Sequence, residues 1–152
     1  MDKERLTTEW PASFDKLYRQ SDRLYYRLSR ECGLSESAYW VMYAAHMDGG
    51  EISISKLTEE HNFLKQTVNS ALRQLKQKGL IEVAFCEGSR KAKKAVFTEE
   101  GRAFAAERIQ PAVAAERRAF SALTVDEQRE MIRLANKYVE AVTGELDRFG
   151  KA

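Results

Sequence analysis

Long apolar runs are missing: no stretch of the 152 residues approaches the roughly eighteen consecutive apolar side chains that cross a bilayer. The opening "MDKERLTTEW" has no apolar centre of the kind a secretory signal needs, so the expected location is the cytoplasm. Cysteine and histidine are scarce. Cys32 and Cys86 form no CxxC pair and no ligand cluster with His46 and His61, which argues against a metal site. There is no phosphate-cradling glycine loop, no nucleophile–base motif and no acid cluster at metal spacing, so no catalytic residue and no cofactor is assigned. Low-complexity linkers and internal repeats are also lacking. With 43% apolar and 32% charged residues, the composition is that of a globular chain, and the length suits one ordinary domain or one domain with added helices.

What is present is an uneven distribution of charge. Residues 1–60 carry 8 basic and 11 acidic side chains, residues 61–94 carry 8 and 2, and residues 95–152 carry 9 and 10. Nearly all the positive excess therefore lies in one 34-residue window, the footprint of a polyanion-binding face on an otherwise balanced protein.

Periodicity predicts the elements. Pro11 reads as a helix start, followed by Phe14, Leu17, Tyr18, Leu24, Tyr25 and Leu28 at threes and fours, with Gly33 as the stop. Ser35 caps a second helix through about Met47, apolar on most of its circumference and ended by Gly49 and Gly50. After the extended piece "EISI", Ser53 or Ser55 opens a short third helix, "KLTEEHN". A fourth spans Lys65 to Lys78, with Val68, Ala71, Leu72 and Leu75 facing inward. "LIEVAF" and "AVF" read as strands joined by the basic turn "CEGSRKAKK". Thr98 caps a fifth helix that Pro111 kinks or interrupts, and Thr124 with Glu127 forms a capping box for a last helix to about Phe149. The apolar stripe of that last helix, from Ile132 to Phe149, is long for one small domain to cover. With the striped first helix, it suggests a surface that pairs with a second subunit.

The order helix, helix, short strand, helix, helix, hairpin is that of a winged helix-turn-helix, mainly α with a small β-hairpin wing. In such a fold the outward set Lys65, Gln66, Thr67, Asn69, Ser70 and Arg73 meets the major groove. Gln and Asn suit adenine and Arg suits guanine, while Lys65, Thr67 and Ser70 suit phosphate or less selective contacts. Arg90, Lys91 and Lys93 then lie on the wing. No Asp or Glu occurs from Lys65 to Gly79, unlike a merely solvated helix, which mixes signs for i,i+4 support.

The segments "TVNSALRQLKQKGLI", "SRKAKKAVF" and "TEEGRAF" together resemble the recognition helix, wing and wing-to-helix junction of the MarR family of transcriptional regulators, at that family's spacing. The resemblance covers about residues 12 to 149. It implies a homodimer bound to double-stranded DNA at a pseudo-palindromic operator, commonly as a repressor. It also implies a helical dimerisation region from residues 1–33 and 99–152, and a DNA-binding region at 34–98. A small aromatic effector is a further implied partner, for which Tyr25, Tyr39, Tyr43 and His46 are the candidate contacts. Core and interface packing is the simpler reading of those aromatic residues.

Two positions depart from the family pattern. Where its wings often carry Asp-x-Arg, this chain has Ser89, Arg90 and Lys91, so the acid that orients the arginine is absent. Where its recognition helix often opens on Ser, this chain has Leu64, a poor N-cap, leaving packing of Phe63 and Leu64 to set that end. A redox role for Cys32 or Cys86 requires a lowered thiol pKa, with Arg30 or Arg90 as the nearby cation, and neither thiol sits where oxidant-sensing members keep theirs. The alternative function is a winged-helix module whose basic face binds an acidic protein, since fold alone does not choose between the two roles.

Overall fold

The computed structural model describes residues 3–149, with side chains from Glu9 onward. The chain divides into two compact units, Met1–Gln110 and Pro111–Ala152.

The first unit opens with α1 (Lys3–Glu31), α2 (Glu36–Met47) and the short strand β1 (Glu51–Ser53). The helix-turn-helix pair α3 (Ile54–Glu59) and α4 (Lys65–Gln77) follows. The hairpin β2 (Ile81–Phe85) and β3 (Lys93–Phe97) leads into α5 (Glu99–Phe104) and a π-helical turn, Ala105–Ile109. The helix α6 (Gln110–Phe120) begins at the unit boundary, and α7 (Val125–Phe149) completes the second unit.

Most helix starts follow from local hydrogen bonding. The Ser35 hydroxyl accepts from the Ala38 amide, the Ser53 hydroxyl from Lys56, and the Thr98 hydroxyl from Gly101. Each satisfies an amide that the first helical turn leaves open. The Thr124–Glu127 box closes in both directions: the Thr124 amide donates to the Glu127 carboxylate at 2.8 Å, and the Glu127 amide donates to the Thr124 hydroxyl at 3.3 Å.

Three sequence expectations are corrected. The first helix does not start at Pro11, which lies inside α1 at an exposed position and offers the helix no N–H there. The third helix opens on Ser53, one of the two expected caps, but ends at Glu59, short of the expected Asn62. Asn62 takes a left-handed φ of 56°, which asparagine tolerates and which no α-helix continues through. Finally, Pro111 does not break its helix at its own position. The distortion is taken up one turn earlier as the π-turn, whose wider hydrogen-bond loop relieves the clash a proline ring makes with the carbonyl four residues back.

The three strands form one antiparallel sheet in the order β1-β3-β2. The register places Ile52 opposite Ala95 and Ile81 opposite Phe97, all four buried. That sheet closes one side of a core made by Leu34, Tyr39 and Met42 around α2, and by Leu57, Val68 and Leu75 of the helix pair. In the second unit, α7 buries none of its residues, and Ile132, Leu134, Tyr138, Val139, Leu146 and Phe149 are exposed along it.

Candidate nucleic-acid interface

The α4 helix separates its residues by periodicity. Val68, Ala71, Leu72 and Leu75 are buried, while Lys65, Gln66, Asn69, Ser70, Arg73, Lys76 and Gln77 are exposed and Thr67 is half-buried. Phe63 is also half-buried, and its amide donates to the Leu57 carbonyl at 3.1 Å, closing the turn between α3 and α4. Leu64 departs from expectation. It occupies the N-cap with no side-chain hydrogen bond, and its side chain is 76% exposed, so packing of Leu64 does not set that end of the helix.

One polar residue of α4 that sequence spacing did not single out turns inward. The Gln74 side-chain oxygen accepts from both the amide and the hydroxyl of Ser35, tying α4 to the start of α2. No sequence signal marks it, because its partner lies 39 positions away.

The wing tip is built on Gly88, at φ 70°, and on Ser89. The Ser89 hydroxyl accepts from the amides of Lys91 and Ala92 at 3.2 and 2.9 Å, and the Cys86 amide donates to the Ala92 carbonyl at 2.8 Å. Serine here orders the backbone that carries Arg90 through a local side-chain turn. That is a different task from holding a guanidinium.

The wing cations are not equivalent. Lys94 is committed to Glu51 at 2.8 Å across the sheet, and Lys93 lies over the Phe85 ring at 5.8 Å. Among the described residues, Lys65, Arg73, Arg90 and Lys91 have no acidic partner. An acid-free helix face and a wing with uncommitted cations thus belong to one compact unit.

The junction below the wing is tight. The Thr98 amide donates to the Leu80 carbonyl at 3.1 Å and its hydroxyl to the Gly79 carbonyl at 2.6 Å. A Cβ on Gly101 would stand 1.9 Å from the Leu80 oxygen, so the start of α5 approaches the turn between α4 and β2 only with glycine at that position.

Three of the four candidate effector contacts surround one tryptophan, and the fourth lies one turn further along α2. Tyr25, Tyr39 and Tyr43 ring Trp40, with centroids 4.6, 5.7 and 5.3 Å from it, and Tyr39 is wholly buried. His46 instead bonds to Gln110 and lines a cleft of about 300 Å³ with Gly50, Phe97, Arg102 and Ala105. Burial pushes the Cys32 thiol up from its ordinary value, outweighing the opposing field of Arg108. That is the wrong direction for a reactive thiolate, and the cation facing it is Arg108 rather than Arg30.

A helix-turn-helix followed by a β-hairpin on the same sheet defines a winged helix-turn-helix protein. No family model matches the sequence, and no curated protein matches it significantly. Solved structures do. AbsC, a MarR family transcriptional regulator from Streptomyces coelicolor, aligns with a TM-score of 0.72 at 18% identity over 95% of this chain and 97% of that one. Sco3205, a MarR family regulator from the same organism in complex with DNA, gives 0.70 at 19% identity over 93% and 89%. The organohalide sensing regulator RdhR in its 2,4-dichlorophenol bound form gives 0.65 at 14% over 93% and 82%. The chain has the fold of the MarR-family transcriptional regulators. Among the described residues, no helix is long and apolar enough to cross a membrane.

Proposed function

We propose that this chain is a sequence-specific DNA-binding transcriptional regulator, without catalytic activity, that acts as a homodimer and represses from a pseudo-palindromic operator. The observation that carries the reading is the acid-free exposed face of α4 beside a wing whose Arg90 and Lys91 have no acidic partner among the described residues. Gln66, Asn69 and Arg73 read base edges, Lys65, Thr67 and Ser70 hold phosphates, and Arg90, Lys91 and Lys93 clamp the flanking backbone and minor groove.

Dimerisation is supported by the uncovered apolar side chains of α7 and by Trp10, Phe14, Leu17, Tyr18 and Leu24, exposed along α1. Residues 1–33 and 99–152 supply that interface, and 34–98 the DNA-binding region. Two α4 helices then enter successive major grooves about one helical turn apart. A small aromatic effector, held by the Trp40 cluster with Tyr25 and Tyr43, weakens DNA binding to the extent that it favours one arrangement of the two helices over the other. The solved structure of RdhR with 2,4-dichlorophenol supports looking for such a ligand.

Selection of the purified protein against a random duplex library at about 0.15 M salt tests the reading. The expected result is a pseudo-palindrome bound roughly a thousandfold more tightly than a scrambled duplex. Binding that prefers no sequence and vanishes with salt would overturn it, in favour of a basic face made for an acidic protein.

A further inference from the structure

Leu64 does neither of the things that a residue at the start of a helix usually does. It does not cap α4, since it makes no side-chain hydrogen bond, and it does not enter the core. At 76% exposure it is the most exposed large apolar side chain described in the first unit. A single exposed leucine is ordinary on a protein surface. This one, however, stands immediately before Lys65 and Gln66, at the end of the helix that a helix-turn-helix protein inserts into the major groove, where the first residues contact base edges. The apolar feature on a base edge in that groove is the C5-methyl of thymine.

We propose that Leu64 is a specificity-determining residue that packs on a thymine methyl group at one position in each half-site. The inference rests on the DNA-binding reading above. Ser, Thr, Asp or Asn at the same position would cap the helix better. Leucine therefore exchanges a local hydrogen bond for an apolar surface that only a partner covers.

The test uses the full chain and the duplex it selects. Each thymine is replaced in turn by deoxyuridine, which removes only the methyl, and affinities are compared for the wild type, Leu64→Ala and Leu64→Ser. The wild type is expected to lose roughly fourfold in affinity at one thymine per half-site, the effect of uncovering one methyl-sized group. Leu64→Ala binds the thymine and deoxyuridine duplexes equally. Leu64→Ser loses the same discrimination while its thermal midpoint stays at or above that of the wild type, which separates a base contact from a folding defect. Methyl removal that affects the wild type and Leu64→Ala equally, or neither, would overturn the inference, as would selected half-sites without thymine. Failure to select any sequence removes the DNA reading itself and this inference with it, a result distinct from sequence-specific binding that ignores the methyl.

Discussion

The side-chain oxygen of Gln74 accepts two hydrogen bonds from Ser35, one from its amide at 3.0 Å and one from its hydroxyl at 2.8 Å. The same hydroxyl accepts from the Ala38 amide at 3.2 Å. One residue of the candidate recognition helix thus holds the residue that caps α2.

Gln74→Leu leaves the part-buried Ser35 donors without their acceptor. It is expected to destabilise the fold by about 1–3 kcal/mol in urea unfolding. Gln74→Glu keeps an acceptor in place and should cost less. A Gln74→Leu protein as stable as the wild type would show that the link has no structural weight.

Two helical glycines should respond to alanine with opposite signs. Nothing lies within 4 Å of a Cβ built on Gly144, so Gly144→Ala should stabilise α7 by about 0.5–1 kcal/mol. At Gly101 the methyl meets the Leu80 carbonyl oxygen at 1.9 Å, and Gly101→Ala should destabilise by at least about 1–3 kcal/mol. Thermal unfolding of the two variants, side by side, decides between propensity and close approach.

Arg73 and Arg90 should fail differently. Arg73→Ala is expected to relax the preference at one base pair per half-site, at a cost of about 1–3 kcal/mol for the preferred base. Arg90→Ala should weaken binding to all sequences alike and flatten the salt dependence by about one unit for each phosphate that is no longer neutralised. An unchanged preference profile removes Arg73 from base readout, and an unchanged salt slope means that Arg90 neutralises no phosphate.

The capping box predicts an acid-sensitive helix start. Backbone and side-chain hydrogen bonds from Thr124 hold the Glu127 carboxyl below its ordinary 4.5. A depressed folded value means stabilisation that is fully present above the unfolded pKa and is lost as pH falls through the folded one. NMR titration of Glu127 should give a midpoint below 4.5, and Thr124→Ala, which removes the hydroxyl but keeps the backbone amide, should move it only part of the way back. In Glu127→Gln, the start of α7 should lose the part of its acid response that Glu127 contributes, leaving that of Asp126 and Glu130.

Features that depend on near neighbours are legible in the residues alone. The buried face of α4, the caps at Ser35, Thr98 and Thr124, and the basic wing all belong here, because helical spacing and cap chemistry act within about four residues. The regional charge excess likewise points to the candidate interface without the fold, since a window with 8 basic and 2 acidic side chains carries a positive field wherever the chain places it. The remainder follows from packing. Gln74 carries no mark that its oxygen belongs to Ser35, and Gly101 none that the Leu80 carbonyl stands against it. Each depends on groups far apart in the chain brought within a few ångströms by the packing of the core, and no periodicity in sequence encodes that distance.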